Sequence, residues 1–406
     1  MDKAVKILKS EPDLIVSLFI APIIILILII ISPLIRVRVG HIHCDRIGHF
    51  AMNTELCYLE RKFKPKSSLL NTVDLFYLPR YPSCNLTLEN LWRKKLIILP
   101  RILLRPISLI IRSFKFLEKF HASSDNSDRD IFNLIDFYPT TLSFSNEEYK
   151  RGKKELEKFG LDHNSKFICI MVRDSAYLNS IYDASENISL QHDYRNNDIQ
   201  NFINAADTLT KLGYYVFRMG SKANKPLNMK NDMVIDYPFS KYKSDFLDIF
   251  ISANCEFCIT TGLGLDAVSN IFRKPIVYVN FAPLETIHIT SKNFLLLPKY
   301  YYNKKLNRMM TLKEIQDSKT FGALNSLIYH ECDIELIENS SDEITQIVLE
   351  MHENIICRNK ENRDEFSQEK FWNIFMSNPS LNSSLYGKIK SRIGNNFLMN
   401  NQWWLD

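Results

Sequence analysis

Phe257–Val268, FCITTGLGLDAV, is the stretch on which the fold turns. FCIT is a short apolar, β-favouring run, TTGLG is a turn carrying two glycines, and the residues that follow open a helix. Strand, glycine turn and helix in that order make the first half of a βαβ unit, whose parallel strands gather binding loops at their carboxyl ends. Glycine lets a backbone approach a ligand closely, and free amides at a helix start can hold a phosphate. The spacing is neither a P-loop nor GxGxxG, and there is no GK[ST]. Strand-to-helix turns also need glycine for structural reasons alone, so at this point both readings stand.

Working outward, the same alternation continues. PIVYVNF follows at 275–281, and upstream lie a helix over Asp245–Ala253, the strands MVID and YYVFRMG, and the strand FICIMV at Phe167–Val172. Ile199, Phe202, Ile203, Ala206 and Leu209 share one face of a helix over 199–212 that Gly213 caps. Two more loops sit at strand ends, VRDSAYL with Arg173 and FRMG with Arg218. Paired arginines suit a diphosphate because guanidinium binds phosphate oxygens bidentately. Each could instead pair with a nearby acid such as Asp174. Nearer the start, Leu34–Cys44 reads as a strand, and Ile47, Phe50, Ala51, Thr54 and Tyr58 fall on one helical face, making a further βα unit. Val73–Leu78 is another strand, and HASSDNSDRD (121–130) a loop or linker.

The 406 residues suggest two domains. With 46% hydrophobic and 24% charged residues the chain is globular in composition, and 11 glycines exclude collagenous or linker-like classes. Eight scattered cysteines, several inside apolar runs, do not suggest a disulfide framework. Cys255 and Cys258 have CxxC spacing but no second pair for zinc.

Two segments point to lipid. Leu14–Ile35 is 22 residues without a charge, long enough to span a bilayer, which needs about 20. Its length argues for a retained anchor over a cleaved signal. Lys3, Lys6 and Lys9 before it and Arg36 and Arg38 after it leave orientation open, and Pro22 admits a re-entrant form. Between Leu91 and Leu117, Arg93, Lys94, Lys95, Arg101, Arg105, Arg112 and Lys115 interleave with apolar residues and no acid occurs. That is +7 against +5 for the whole chain, as expected of a surface on anionic headgroups. The competing reading is a core helix pair joined at Pro100 and Pro106. Nucleic acid is not expected: aromatic interleaving is thin and no reader motif occurs.

RIGHFAMNTE (46–55), IMVRDSAYL (170–178), YRNNDI (194–199), LGYYVFRMG (212–220), SDFLDIFISANCEFCITTGLGLDAV (244–268) and RKPIVYVNFAPL (273–284) resemble the signature blocks of a family of bacterial glycosyltransferases associated with surface polysaccharides. The resemblance extends from about residue 36 to the closing NNQWWL and includes ENSSDEI (338–344); the basic stretch 91–117 matches it only loosely. It implies a GT-B-like α/β architecture, two Rossmann-like domains with a cleft between them, the acceptor side first. The expected divisions are a membrane anchor over 1–35, an acceptor-side domain over 36–155, a donor domain over 156–350, and C-terminal helices over 351–406 packing back on the first domain. The donor-binding residues expected within these blocks are Arg173, Asp174, Tyr194, Arg195, Arg218, Gly220, Thr260, Thr261, Gly262, Gly264 and Asp266.

Sugar transfer places negative charge on the departing diphosphate, so stabilising it is the main electrostatic task. The one close DxD look-alike, Asp128 and Asp130, lies in the polar run, so a metal-independent mode with arginines is expected, with no cofactor beyond the nucleotide-sugar substrate. His41, His43, Asp45, His49 and Glu55 cluster on the first βα unit. His49 at the helix start is the favoured base for the acceptor hydroxyl, ahead of Asp45 and Glu55, and a capping role for it is the alternative. The sequence thus points to a hexosyl- or deoxyhexosyltransferase using a nucleotide sugar and a lipid-linked saccharide at an anionic membrane surface. The expected location is the bacterial inner membrane, with catalytic domains facing the cytoplasm. A sugar-nucleotide epimerase or a non-catalytic membrane-bound scaffold are the alternatives.

Overall fold

The computed structural model describes residues 12–63, 71–122, 129–180, 191–356, 364–379, 381 and 387–406. The chain divides into two units. Unit one is Met1–Asp128 with Thr140–Phe144, and unit two is Arg129–Pro139 with Ser145–Asp406.

Unit one contains α1 (Pro12–Ile31), β1 (Ile35–His41), α2 (Ile47–Phe63), β2 (Asn71–Tyr77), α3 (Leu86–Arg93), β3 (Ile97–Ile98) and α4 (Arg101–Ser113). The three strands form a parallel sheet in the order β1-β2-β3, with Val37 opposite Val73 and Leu75 opposite Ile97. More than the helical face expected of α2 is buried. Phe50, Ala51 and Thr54 are joined inside by Met52, Asn53, Glu55, Leu56, Cys57 and Leu59, and the buried Trp92 donates to the Phe50 carbonyl at 3.2 Å. At Gly40 a side chain has no room: an added Cβ would lie 1.9 Å from the Ala122 carbonyl oxygen. That close approach lets Ala122 donate to the Val39 carbonyl and flank the sheet.

The expected membrane span is corrected. Among the described residues no helix is long and apolar enough to cross a membrane, which overturns the transmembrane anchor and the inner-membrane topology with cytoplasm-facing domains. One face of α1 is committed to protein. Ala21, Ile25 and Leu28 are buried in a cluster with Leu104, Ile107 and Ile111 of α4 and with Val39, Tyr77, Leu117 and Phe120. Lys3, Lys6 and Lys9 lie outside the described residues. Of the two prolines at which a core helix pair was expected to join, Pro100 immediately precedes α4 and Pro106 is buried inside it.

Unit two contains α5 (Leu134–Phe137), α6 (Asn146–Glu157), β4 (Phe167–Met171), α7 (Ala176–Asn179), α8 (Ile203–Lys211), β5 (Tyr215–Arg218), β6 (Val234–Asp236), α9 (Asp245–Asn254), β7 (Cys258–Thr260), α10 (Asp266–Ile271), β8 (Ile276–Phe281) and β9 (Phe294–Pro298). After them come β10 (Tyr300–Asn303), β11 (Arg308–Met309), α11 (Leu312–Asp317), α12 (Ser326–Glu331), β12 (Ile334–Ile337), α13 (Ser341–Ile356), α14 (Glu365–Met376), β13 (Arg392–Ile393) and α15 (Asn395–Asn400). Its main sheet is parallel throughout, in the order β13-β9-β8-β7-β4-β5-β6. Every residue of β4, β7, β8 and β9 is buried, which is why these strands read as unbroken apolar runs without alternation. A small antiparallel sheet, β11-β10-β12, accompanies it.

The C-terminal residues expected to return to the first domain belong to unit two. There the buried Trp404 stacks on Phe371 at 5.5 Å and meets Phe397 edge-on at 5.3 Å. Asp130 is no open linker residue: it is buried and accepts from the Leu134 and Ile135 amides at 2.7 and 2.8 Å, starting α5. Asp128 lies outside the described residues. Cys255 and Cys258 are fully buried, their thiols against the Ser252 carbonyl and the Met171 sulfur, as structural cysteines.

Candidate functional site

The turn quoted first sits at the carboxyl end of β7, in the middle of the parallel sheet. Gly262 has φ 77°, a left-handed conformation that L side chains resist, and this is what the turn requires of glycine. Its surroundings are bonded from within. The Thr261 amide donates to the Met171 carbonyl at 3.1 Å and the Gly262 amide to the Thr260 hydroxyl at 3.0 Å. The Thr260 hydroxyl and the Leu263 amide both donate to one oxygen of Asp266, at 2.8 and 3.0 Å. The carboxyl of Asp266 thus takes up the Thr260 hydroxyl and the Leu263 amide, and burial pushes its pKa up to about 6 against the opposing pull of these hydrogen bonds and Arg195. Gly264 lies between this bonded turn and α10, which is only six residues long.

The cationic groups come from the neighbouring loops. Beyond β4, the Arg173 amide donates to the Thr261 hydroxyl at 2.9 Å, and its carbonyl accepts from the Asn197 amide at 3.0 Å. That second bond pins the 193–197 loop beside the turn. Within it, the half-buried Arg195 donates to the Gly262 carbonyl at 2.5 Å. Tyr194 is held by its amide on Ser326 and by its ring, stacked on Tyr329 at 5.5 Å. Burial raises the pKa of the Tyr194 hydroxyl, with Arg195 and Arg173 opposing the rise.

Sequence reasoning missed Lys299, which holds this loop from the far side. It is 3% exposed, and its Nζ donates to the Tyr194 and Asn196 carbonyls at 3.2 and 2.9 Å, gripping the backbone on both sides of Arg195. Burial lowers its pKa to about 8, with Glu338 opposing. A lysine placed directly after the all-apolar FLLLP strand was the available signal. Glu338 in turn accepts from the Asp198 amide and the Asn201 side chain.

Arg218 has a different environment. It is 3% exposed, donates to the Lys225 carbonyl at 2.6 Å and to Asp236 at 3.2 Å, and lies 3.9 Å from Asp174. The acid-pairing alternative is what the structure contains: Arg218 ties the loops after β4 and β5 to the last residue of β6. Asp174 is likewise occupied, accepting from the Ala176 and Asn224 amides, and Gly220 follows in the same loop.

In unit one the carboxyl end of β1 carries a row of imidazoles. The rings of His41 and His43 are 5.0 Å apart and those of His43 and His49 6.1 Å. His49 is exposed at the start of α2, with Nδ1 3.3 Å from Asn53 Oδ1, and Asp45 is exposed beside it in sequence. Glu55 is separated from them by burial: it is fully enclosed in α2 and accepts from the Thr141 hydroxyl at 2.9 Å. Among the described residues no group of three or more His, Cys, Asp or Glu side chains could hold a metal ion.

Two units, each built on a parallel sheet with helices, define a two-domain α/β fold. No family model matches the chain, and no curated protein does. Among solved structures it is similar to the ADP-heptose lipopolysaccharide heptosyltransferase II of E. coli, at 13% identity and TM-score 0.39 over 64% of this chain and 90% of that one. It is also similar to a family 9 glycosyl transferase from Veillonella parvula, at 12% identity and TM-score 0.42 over 79% of this chain and 97% of that one. For the dodecameric iron-containing glycosyltransferase TibC of enterotoxigenic E. coli the values are 12% and 0.32, over 60% and 57%. Similarity at this level carries no argument about this chain's reaction.

Proposed function

We propose that the chain is a glycosyltransferase that moves a sugar from a nucleotide-diphosphate donor to a hydroxyl of a lipid-linked saccharide. The observation that carries this reading is the pinning of Arg195 and Arg173 beside the Gly262 turn at the carboxyl edge of the unit-two sheet. It agrees with the resemblance of the surrounding blocks to bacterial glycosyltransferases. In this scheme the two guanidiniums hold the diphosphate and neutralise the charge that grows on it as the glycosidic bond to the phosphate breaks, with no metal assigned a part. His49 takes the proton of the acceptor hydroxyl as that oxygen bonds to the anomeric carbon, with Asp45 as the second candidate. A hexosyl or deoxyhexosyl unit is the expected cargo, and the basic stretch 91–117 is assigned an anionic lipid surface.

The test is incubation of the purified chain with UDP, GDP, ADP and dTDP sugars and a lipid extract. Free nucleotide together with a heavier lipid-linked product is expected. Release of an altered nucleotide sugar with no lipid product would transfer the site to epimerase chemistry, and no turnover or binding with any donor would reject the reading.

A further inference from the structure

We infer that unit one lies flat on an anionic lipid surface through the outward faces of α1 and α4, without crossing it. This rests on the lipid-surface partner in the reading above and not on the transfer reaction. From Phe19 to Ile31 every side chain of α1 is apolar. Ala21, Ile25 and Leu28 are buried against α4, while Phe19, Ile23, Leu26, Ile27 and Ile30, at helical spacings of 4, 7, 8 and 11, form the opposite face. That face is open: Phe19 is 76%, Ile23 61% and Ile30 66% exposed. A helix facing water carries polar residues outward, and a continuous aliphatic face of this kind marks an interaction surface.

The partner helix supplies the charge. Arg101, Arg105 and Arg112 share one face of α4 by their i, i+4, i+11 spacing, next to the exposed Ile102 and Leu109, and Phe114 and Phe116 are exposed just beyond its end. Between Leu91 and Leu117 seven basic residues occur and no acid. Aliphatic side chains seated about 5–10 Å deep among headgroups, with arginines on lipid phosphates, satisfy both features at once.

The experiment is sedimentation of the full chain with phosphatidylcholine vesicles, with and without phosphatidylglycerol, at low and high salt. The parent is expected to bind the anionic vesicles, with affinity about tenfold lower on neutral vesicles or in high salt. Ile23→Ser/Ile27→Ser/Ile30→Ser and Arg105→Glu/Arg112→Glu should each lose about tenfold or more. Thermal melting monitors the fold, and Ile23→Ser alone replaces the triple variant should that one melt early. Absence of parent binding, variants that bind as the parent does, or a concentration-dependent dimer that the serine variant dissolves would overturn the inference. Calorimetry with nucleotide sugars on the same preparations is read separately: both variants should keep the parent's donor affinity, so a failure of the transferase reading is distinct from a failure of docking.

Discussion

Arg195 and Asp266 face each other across the Gly262 turn with opposite tasks. The Arg195 guanidinium donates to the Gly262 carbonyl, its own carbonyl accepts from the Asn197 side chain, and Lys299 donates to the carbonyls of Tyr194 and Asn196 on either side. Arg195→Ala should weaken nucleotide-sugar binding by about ten- to a hundredfold, the size of one or two charge-assisted hydrogen bonds, with thermal stability nearly unchanged. Calorimetry measures it, and parent-like affinity for every donor would move the phosphate site elsewhere. Asp266 is a stability element. Its folded pKa is raised to about 6 from 3.8, chiefly by burial, so the folded state holds the proton more tightly than the unfolded state does. The stability it contributes is therefore fully present below about pH 4 and is lost as pH rises to about 6. Relative to Asp266→Asn, which cannot titrate, the parent should lose on the order of 2 to 3 kcal/mol across that window. Urea melts at a series of pH values test it; parallel profiles for the two proteins would refute it.

At the level of elements, packing decides outcomes that spacing leaves open. The apolar segment ending at Ile31 has the composition of a membrane span, yet its Ala21, Ile25 and Leu28 are buried with Leu104, Ile107 and Ile111 of α4, which makes it an element of unit one. The strand β1 depends on a similar close fit. Gly40→Ala would place a methyl carbon 1.9 Å from a backbone oxygen of Ala122, a clash that can be relieved only by moving backbone. A loss of about 1 to 3 kcal/mol is expected in denaturant unfolding. An unchanged midpoint would mean that residues 121 and 122 do not in fact flank the sheet.

For the whole molecule, the two units carry separable duties in the proposed transfer. His49 belongs to unit one and the arginine pair to unit two. His49→Gln should lower turnover by about 10² to 10⁴ while donor affinity stays within a factor of two or so, as for removal of a positioned base. Asp45→Asn provides the comparison. If His49→Gln turns over like the parent and Asp45→Asn does not, the base is Asp45; if neither slows the reaction, unit one supplies no base.

What the sequence determined by itself is whatever local periodicity encodes. The alternation of buried apolar strands with amphipathic helices from Phe167 to Phe281 was legible, as were the glycine at the left-handed position 262 and the placement of Arg173 and Arg218 at strand ends, because each depends on a few neighbouring residues. Tertiary structure alone decided what those side chains meet. Arg173 and Arg218 stand in equivalent sequence contexts, but Asp236 and Asp174 lie in reach of Arg218 only because β5 pairs with β6 on one side and β4 on the other. Lys299 joins the carbonyls of Tyr194 and Asn196 across 105 and 103 positions of chain, and Asp266 folds back into its own turn. Glu55 stood behind His49 as a candidate on the same βα unit, and only burial removed it from solvent, since helical spacing places a residue on a face while the packing of other elements determines whether that face meets water.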